Sequence, residues 1–422
     1  MKSAAETRVL EVLKKYQRHL NPAWSRLFQF AALETLAVEA EGAVIRDVYG
    51  REYLDFAASV AVFILGHRHP RVLAAVRREL ERMPLSAKFM PEEPMAELAS
   101  MLAEATPGDL QFCFFCHSGA EANEGALKLA RLATGKPGFI AASGAFHGKT
   151  FGALSVSGSE MYRAPFQPLL PGVTHVPFGD AKALEAAITE DTAAVILEPI
   201  QGENGVIVPP TGYLRGVRDV CTRAGVLLIV DEVQTGMGRT GMLWACEWEG
   251  VAPDILTAAK GLGGGVTTLG AFIATPTVYE PLTHDPYLHS TTIGNRLAWV
   301  AAIETLRTIR EEGLLERARQ IGDRLLRGLQ EVMRRHPGLI TDVRGKGCLV
   351  GVEFPNDDVG ILANMGLITR QVLAIQTLNR RQVVRFAPPL IATDAQVDRA
   401  LEAMAETASE VESLVEEAQA AT

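Results

Sequence analysis

The chain is 422 residues long, 48% hydrophobic and 22% charged. That length suits two packed domains, and the composition excludes disorder, collagen-like repeats and disulfide scaffolds. Its formal net charge is -9 with scattered basic residues, which offers nucleic acid no electrostatic footprint, and no run reaches the roughly 18 apolar residues of a membrane span.

At the amino terminus Lys14, Lys15, Arg18 and His19 are mixed with Val9, Leu10, Val12 and Leu13, unlike a signal peptide, and a cytoplasmic location is expected. From about residue 90 to about residue 275, short apolar runs alternate with amphipathic helical stretches, the pattern of a mostly parallel sheet covered by helices. The runs predict strands over 111–116, 138–142, 193–197, 226–230, 254–257 and 269–274, with a helix over 120–132 that puts Ala126, Leu129 and Ala130 on one face. Such sheets hold ligands at the carboxyl ends of their strands. Within the first run Cys113 and Cys116 make a C-x-x-C that could be redox-active or half a zinc site, but the apolar surroundings read better as a buried strand. No second Cys or His pair follows at ligand spacing, so no metal is expected. The other cysteines, Cys221, Cys246 and Cys348, complete an odd, scattered set that fits a reducing compartment.

Long helices are predicted over 297–312 and 314–336, broken at Glu311, Glu312 and Gly313. A strand over 348–354, a helix, a strand over 383–386 and a last helix from Thr393 follow, with a polar tail beyond Thr407 that is expected to fray. The expected fold is α/β: a large domain over 81–310, a small α/β domain over 311–422, and a segment 1–80 that packs with the small domain.

Four segments carry chemistry. Asp231 ends a run of buried aliphatics, and Lys260 stands 29 residues later at the end of another strand, before a glycine-rich turn. Either residue alone reads as a cap or a solvated charge. Together, on neighbouring strand ends, they match a pyridoxal enzyme: the lysine can form a Schiff base with an aldehyde, and the aspartate can keep a pyridine nitrogen protonated. His117, Ser118, Gly119 and Ala120 turn a strand into a helix whose free amides and dipole suit a phosphate, although Ser118 by itself is an ordinary helix cap. Phe146, in the segment 144–150, could lie against a cofactor ring or belong to the core.

These segments, with 197–203 and 385–390, resemble the class III aminotransferases of pyridoxal-enzyme fold type I, and 144–155, 166–172, 175–179 and 231–241 look most like putrescine (diamine) aminotransferases. The resemblance runs over nearly the whole chain. It implies a fold type I enzyme with pyridoxal 5'-phosphate as cofactor, moving an amino group from a putrescine-like diamine or ω-amine to a 2-oxo acid (2-oxoglutarate or pyruvate) in two half-reactions. It further implies that Gly119 and Ala120, beside Ser118, bind the phosphate, that Phe146 and Val233 cover the two ring faces, and that Asp231 meets the ring nitrogen. Gln234 would reach the ring hydroxyl, and Thr292 the phosphate of the partner subunit, hence a homodimer with shared active sites. Lys260 would move the proton between substrate and cofactor carbons. Arg385, which could otherwise be a surface strand residue, would grip the acceptor carboxylate, and Glu203 would neutralise Arg385 when an amine occupies the pocket.

Lys149 stands where ornithine and acetylornithine members usually have arginine, which favours a donor lacking a carboxylate at that end. The chain departs from the family at His117 and Ala120 (usually Asn and Thr), at Ile64 (commonly Asn, in a segment without the customary glycines), at Asn204 (a Gly), and in 289–296, one Gly short with Arg296 in place of Pro. These departures predict retained transamination with an altered substrate pocket. The alternatives are an aminotransferase for ornithine, acetylornithine, 4-aminobutyrate or another ω-amino compound, a pyridoxal isomerase, racemase or decarboxylase, or a non-catalytic homologue.

Overall fold

A computed structural model describes residues 3–31, 33–86, 90–284 and 295–420. Near the amino terminus, β1 (Ala37–Glu41), β2 (Val44–Asp47) and β3 (Glu52–Asp55) form an antiparallel meander. Asp47 makes the β2–β3 turn by accepting from the backbone N–H groups of Tyr49 and Arg51 at 2.9 Å each, the Asx-turn chemistry that favours aspartate there.

The central sheet has seven strands: β4 (Phe112–Cys116), β5 (Gly138–Ala142), β6 (Val173–Val176), β7 (Thr192–Leu197), β8 (Leu227–Asp231), β9 (Ile255–Ala258) and β10 (Gly270–Ala274). They run in the order β4-β10-β9-β8-β7-β5-β6. All neighbours pair in parallel except β10, which is antiparallel to both β4 and β9. Every residue of β5, β7, β9 and β10 is buried, as expected where helices cover both faces. The ladders begin or end within a residue of the predicted bounds. The exception is β6, an edge strand that includes Thr174 and His175 and was legible only as part of a motif.

Strand β4 lies at the other edge, so Phe112 is exposed and stacks on Tyr279 at 4.8 Å, while the rest of the strand turns inward. Cys113 and Cys116 are free thiols, and burial pushes both up to about 12, which keeps them protonated and unreactive. The helix Gly119–Thr134 follows, capped by Ser118 and ended by Gly135 in the left-handed conformation, and it lays Ala122, Ala126, Leu129 and Ala130 on the sheet.

Helices Arg296–Glu311 and Leu314–Arg335 are separated at Gly313, whose φ is 64°. The carboxyl-terminal region adds β11 (Asp342–Lys346), β12 (Leu349–Glu353), β13 (Val372–Leu373), β14 (Ile375–Gln376) and β15 (Val383–Phe386). Four of these make an antiparallel sheet in the order β11-β12-β15-β14, whereas β13 pairs in parallel with β3 and so joins the two ends of the chain. The last helix, Asp394–Ala420, continues past the point where fraying was expected. Met404, Thr407, Ala408 and Val411 recur at helical spacing and are buried, in a helix that packs on Asp357–Thr369 and Leu314–Arg335. Among the described residues no helix is long and apolar enough to cross a membrane.

Candidate active site

At the carboxyl ends of β4, β8 and β9 lies a cavity of about 430 Å³, within the range of small-molecule sites. Asp231, the last residue of β8, faces it. The carboxylate is buried and oriented from three sides: Oδ2 accepts from Asn123 Nδ2 at 2.8 Å and lies 2.7 Å from His147 Nδ1, and Oδ1 accepts from the Val233 N–H at 2.9 Å. Asn123 is held in turn, its Oδ1 accepting from Thr257 Oγ1 at 2.8 Å and its Nδ2 donating to the His147 carbonyl at 2.7 Å. A carboxylate so fixed can meet a cationic N–H in the cavity without reorganising.

Lys260 follows β9 with φ 45°, a left-handed conformation that costs a non-glycine residue about 1–2 kcal/mol. The turn after it is seated on Ile64 and Met237, whose Cβ atoms would lie 3.1 and 3.2 Å from a Cβ at Gly261. Ile64 therefore supports the lysine turn through apolar contact where the family commonly has Asn. Among the described residues no hydrogen bond is made to Lys260 Nζ. Burial lowers the proton affinity of this amine and Arg385 adds to the effect, while Glu203, Asp231 and Glu198 oppose it, so the neutral nucleophilic form is favoured relative to a free lysine.

The third wall is the turn into helix Gly119–Thr134. Ser118 caps it, accepting from the Glu121 N–H at 3.2 Å and donating to Glu121 Oε2 at 3.1 Å. Gly119 lies so close to Val233 that a Cβ there would be 2.7 Å from Val233 Cγ1. The exposed amides of this turn suit an anion. Phe146 lines the cavity beside them, and its N–H donates to Glu198 Oε1 at 2.9 Å.

Arg385 is placed differently from the other predicted residues. It sits on β15 with no exposed surface and does not line the cavity. Instead Nη1 donates to Glu203 Oε1 at 2.7 Å and to Gln234 Oε1 at 3.0 Å, so the guanidinium waits behind two cavity residues, its Nε and Nη2 without a partner among the described residues. Burial alone would raise Glu203, but the charges of Arg385 and Lys260, with hydrogen bonds from Gln234 and Arg385, hold it down to about 2. Ser118, Gly119, Ala120, Phe146, Glu203, Asp231, Val233, Gln234 and Lys260 thus share one cavity, with Arg385 one side chain behind. Thr292 lies outside the described residues.

Several neighbours escaped the sequence reading. Asn123 is a polar residue on the apolar face of its helix, a signal that was available, and His147 directly follows Phe146. Glu198 lines the cavity and makes no ion pair among the described residues, and burial, with a smaller push from Asp231 and against the charges of His147 and Lys260, raises it to about 7. Val62 reaches the cavity from a run, Ala58 to Ala61, whose φ values are 45°, 49°, 64° and 66°. This left-handed run contains no glycine and is held by one local and one tertiary bond: Asp55 Oδ1 accepts from the Ala58 N–H at 2.8 Å, and the Ala61 carbonyl accepts from the buried Arg239 at 3.4 Å. Lys149 also lines the cavity, its Nζ 4.0 Å from the Tyr162 ring centroid and 6.0 Å from that of Phe146. Two further departures are filled by new contacts. Asn204 donates to Gln201 Oε1 at 2.8 Å, and Arg296 is buried between Glu79 and Glu92, with Nη1 2.8 Å from Glu92 Oε2.

A phosphorylated pyridine aldehyde fits this donor set, with amides for the phosphate, a fixed carboxylate for the ring nitrogen and an unpartnered amine for the aldehyde. The family model for class III aminotransferases matches residues 30–408. Similar solved structures include an ornithine aminotransferase from Toxoplasma gondii with partial pyridoxal phosphate occupancy (32% identity over 98% of this chain and 99% of that one, TM-score 0.86). A thermostable (S)-enantioselective omega-transaminase from Thermomicrobium roseum matches at 32% identity over 97% and 99%, TM-score 0.87, and a thermostable omega transaminase mutant from Pseudomonas jessenii at 27% over 97% and 99%, TM-score 0.88. The chain belongs to the class III aminotransferases and is a pyridoxal-phosphate-dependent transaminase of fold type I.

Proposed function

We propose that the enzyme transfers an amino group from a diamine or ω-amine of the putrescine kind to 2-oxoglutarate or pyruvate. The observation that carries this reading is the state of Arg385, neutralised by Glu203 and shared with Gln234, which leaves the cavity without a free guanidinium. A donor without a carboxylate is accepted in that state, and swinging Glu203 away frees Arg385 for the carboxylate of the acceptor. A clamp that retracts is needed only by an enzyme that takes both kinds of substrate, which sets the reading apart from isomerases, racemases and decarboxylases. When bound, pyridoxal phosphate supplies the electron sink. The chain supplies the rest: Asp231 holds a proton on the ring nitrogen, Val233 and Phe146 confine the ring, Gln234 reaches its hydroxyl, and Ser118, Gly119 and Ala120 receive the phosphate. Lys260 Nζ, less basic than a free lysine, moves the proton at the substrate carbon.

The second reading, an ornithine or other ω-amino acid as donor, is supported by the likeness to an ornithine aminotransferase, whereas Lys149 in the cavity lining, a lysine where such members usually have arginine, counts against it. On either reading the protein works in the cytoplasm as a homodimer with shared active sites, Thr292 serving the phosphate of the partner. The domain division 1–80, 81–310 and 311–422 accompanies this proposal, supported by the pairing of β3 with β13.

The test is the visible absorption of the holoenzyme. Putrescine should bleach the band and one of the two oxo acids restore it, and Lys260→Ala should form no such band. A band bleached by ornithine but not by putrescine transfers the assignment to the second reading.

A further inference from the structure

His117 follows β4 and lines the cavity beside Ser118, Gly119 and Ala120. Its backbone N–H is used, donating to Glu121 Oε2 at 2.8 Å, but its imidazole makes no hydrogen bond among the described residues. The side chains next to it have nothing to offer an anion. The Ser118 hydroxyl donates to Glu121. Gly119 is pressed against Val233 and leaves no room for a side chain. Ala120 brings a methyl where the resemblance leads one to expect a threonine hydroxyl. Lys149, a cation of the cavity lining, sits over the Tyr162 ring. Of the four residues of this turn, His117 alone keeps an uncommitted side-chain donor.

We propose that the His117 imidazole N–H donates to the cofactor phosphate and takes over the hydroxyl donor missing at Ala120. Two departures from the family pattern, three residues apart, then compensate each other: a donor is lost on the first turn of the helix and regained on the residue before its cap. The inference rests on the phosphate position proposed above.

The experiment titrates apo-protein with pyridoxal phosphate and, in parallel, with pyridoxal, following the quenching of intrinsic fluorescence. A hydrogen bond to a charged group predicts that His117→Ala raises the Kd for pyridoxal phosphate about 10- to 100-fold. The Kd for pyridoxal, which lacks the phosphate, should stay within about twofold. Adding Ala120→Thr to His117→Ala should recover about tenfold, and the ³¹P resonance of the bound cofactor should shift in the single variant, which a merely structural role would not cause. His117→Asn keeps an N–H donor and should bind the cofactor nearly as wild type, which serves if the alanine variant fails to fold. Equal loss for both ligands, or no loss for either, overturns the proposal. If the visible band still forms through Lys260 in that case, the cofactor site stands and only the role of His117 falls.

Discussion

Replacing Glu203 by glutamine separates the two half-reactions. Glu203 is held down to about 2 from an ordinary 4.5, which corresponds to about 3 kcal/mol favouring its charged form. Both it and Arg385 are almost wholly buried, so solvent screens little of that. The amide keeps the shape of the side chain and removes its charge, leaving the guanidinium uncompensated behind Gln234. A cationic amine then approaches a positive wall, and kcat/KM with putrescine should fall on the order of 100-fold. The acceptor meets the opposite situation. Arg385 no longer has to be released from a carboxylate, so KM for the oxo acid should fall several-fold. Single-turnover absorbance of the cofactor reads the two half-reactions separately. Equal losses in both, or an unchanged rate with putrescine, would refute the idea that Glu203 acts by neutralising Arg385. A pH signature accompanies the effect. Because the folded value lies below the unfolded one, the stabilisation is complete above about 4.5 and is lost as pH falls towards about 2. The difference in stability between wild type and Glu203→Gln should therefore be constant above pH 5 and shrink below it.

Glu198 runs the other way. Burial raises it from an ordinary 4.5 to about 7, so the stability it contributes is present below about 4.5 and is lost as pH rises through about 7. Glu198→Gln should gain on wild type in thermal melts between pH 5 and pH 8, and parallel curves over that range would count against the assignment. At the turn proposed to receive the phosphate, Gly119→Ala puts a Cβ 2.7 Å from Val233 Cγ1, an overpacking that should weaken cofactor affinity about tenfold. Measured by equilibrium dialysis, Gly119→Ala should cost less affinity in a Val233→Ala background than in wild type, and an equal cost in both backgrounds would show that the two residues are not coupled through packing.

The legible parts of this protein are those whose signal is local. Asp231 and Lys260 each end an aliphatic strand, and the pattern that makes the strand also marks the residue at its ligand edge. Ser118 announces its helix by ordinary capping chemistry. The pairing of Glu203 with Arg385, separated by 182 positions, was reached only through resemblance, because no short pattern connects residues so far apart. The roles of Asn123 and His147 depend likewise on a carboxylate 108 and 84 positions away, although Asn123, polar on an apolar helix face, did carry a local signal.

The sequence by itself determined the alternation of strands and helices, the residues at the strand ends and, through its motifs, the family. Only the tertiary structure decided that β10 runs against its neighbours, because strand direction depends on the path of the connections and not on the composition of the strand. It also decided that four residues without a glycine adopt left-handed backbone from Ala58 to Ala61, a conformation their own sterics disfavour and a bond from the distant Arg239 helps hold. Arg385 followed the same logic. A charged side chain on a strand is ordinarily solvated, and it becomes part of a site here because folding buries it against a carboxylate that offsets the cost of removing it from water.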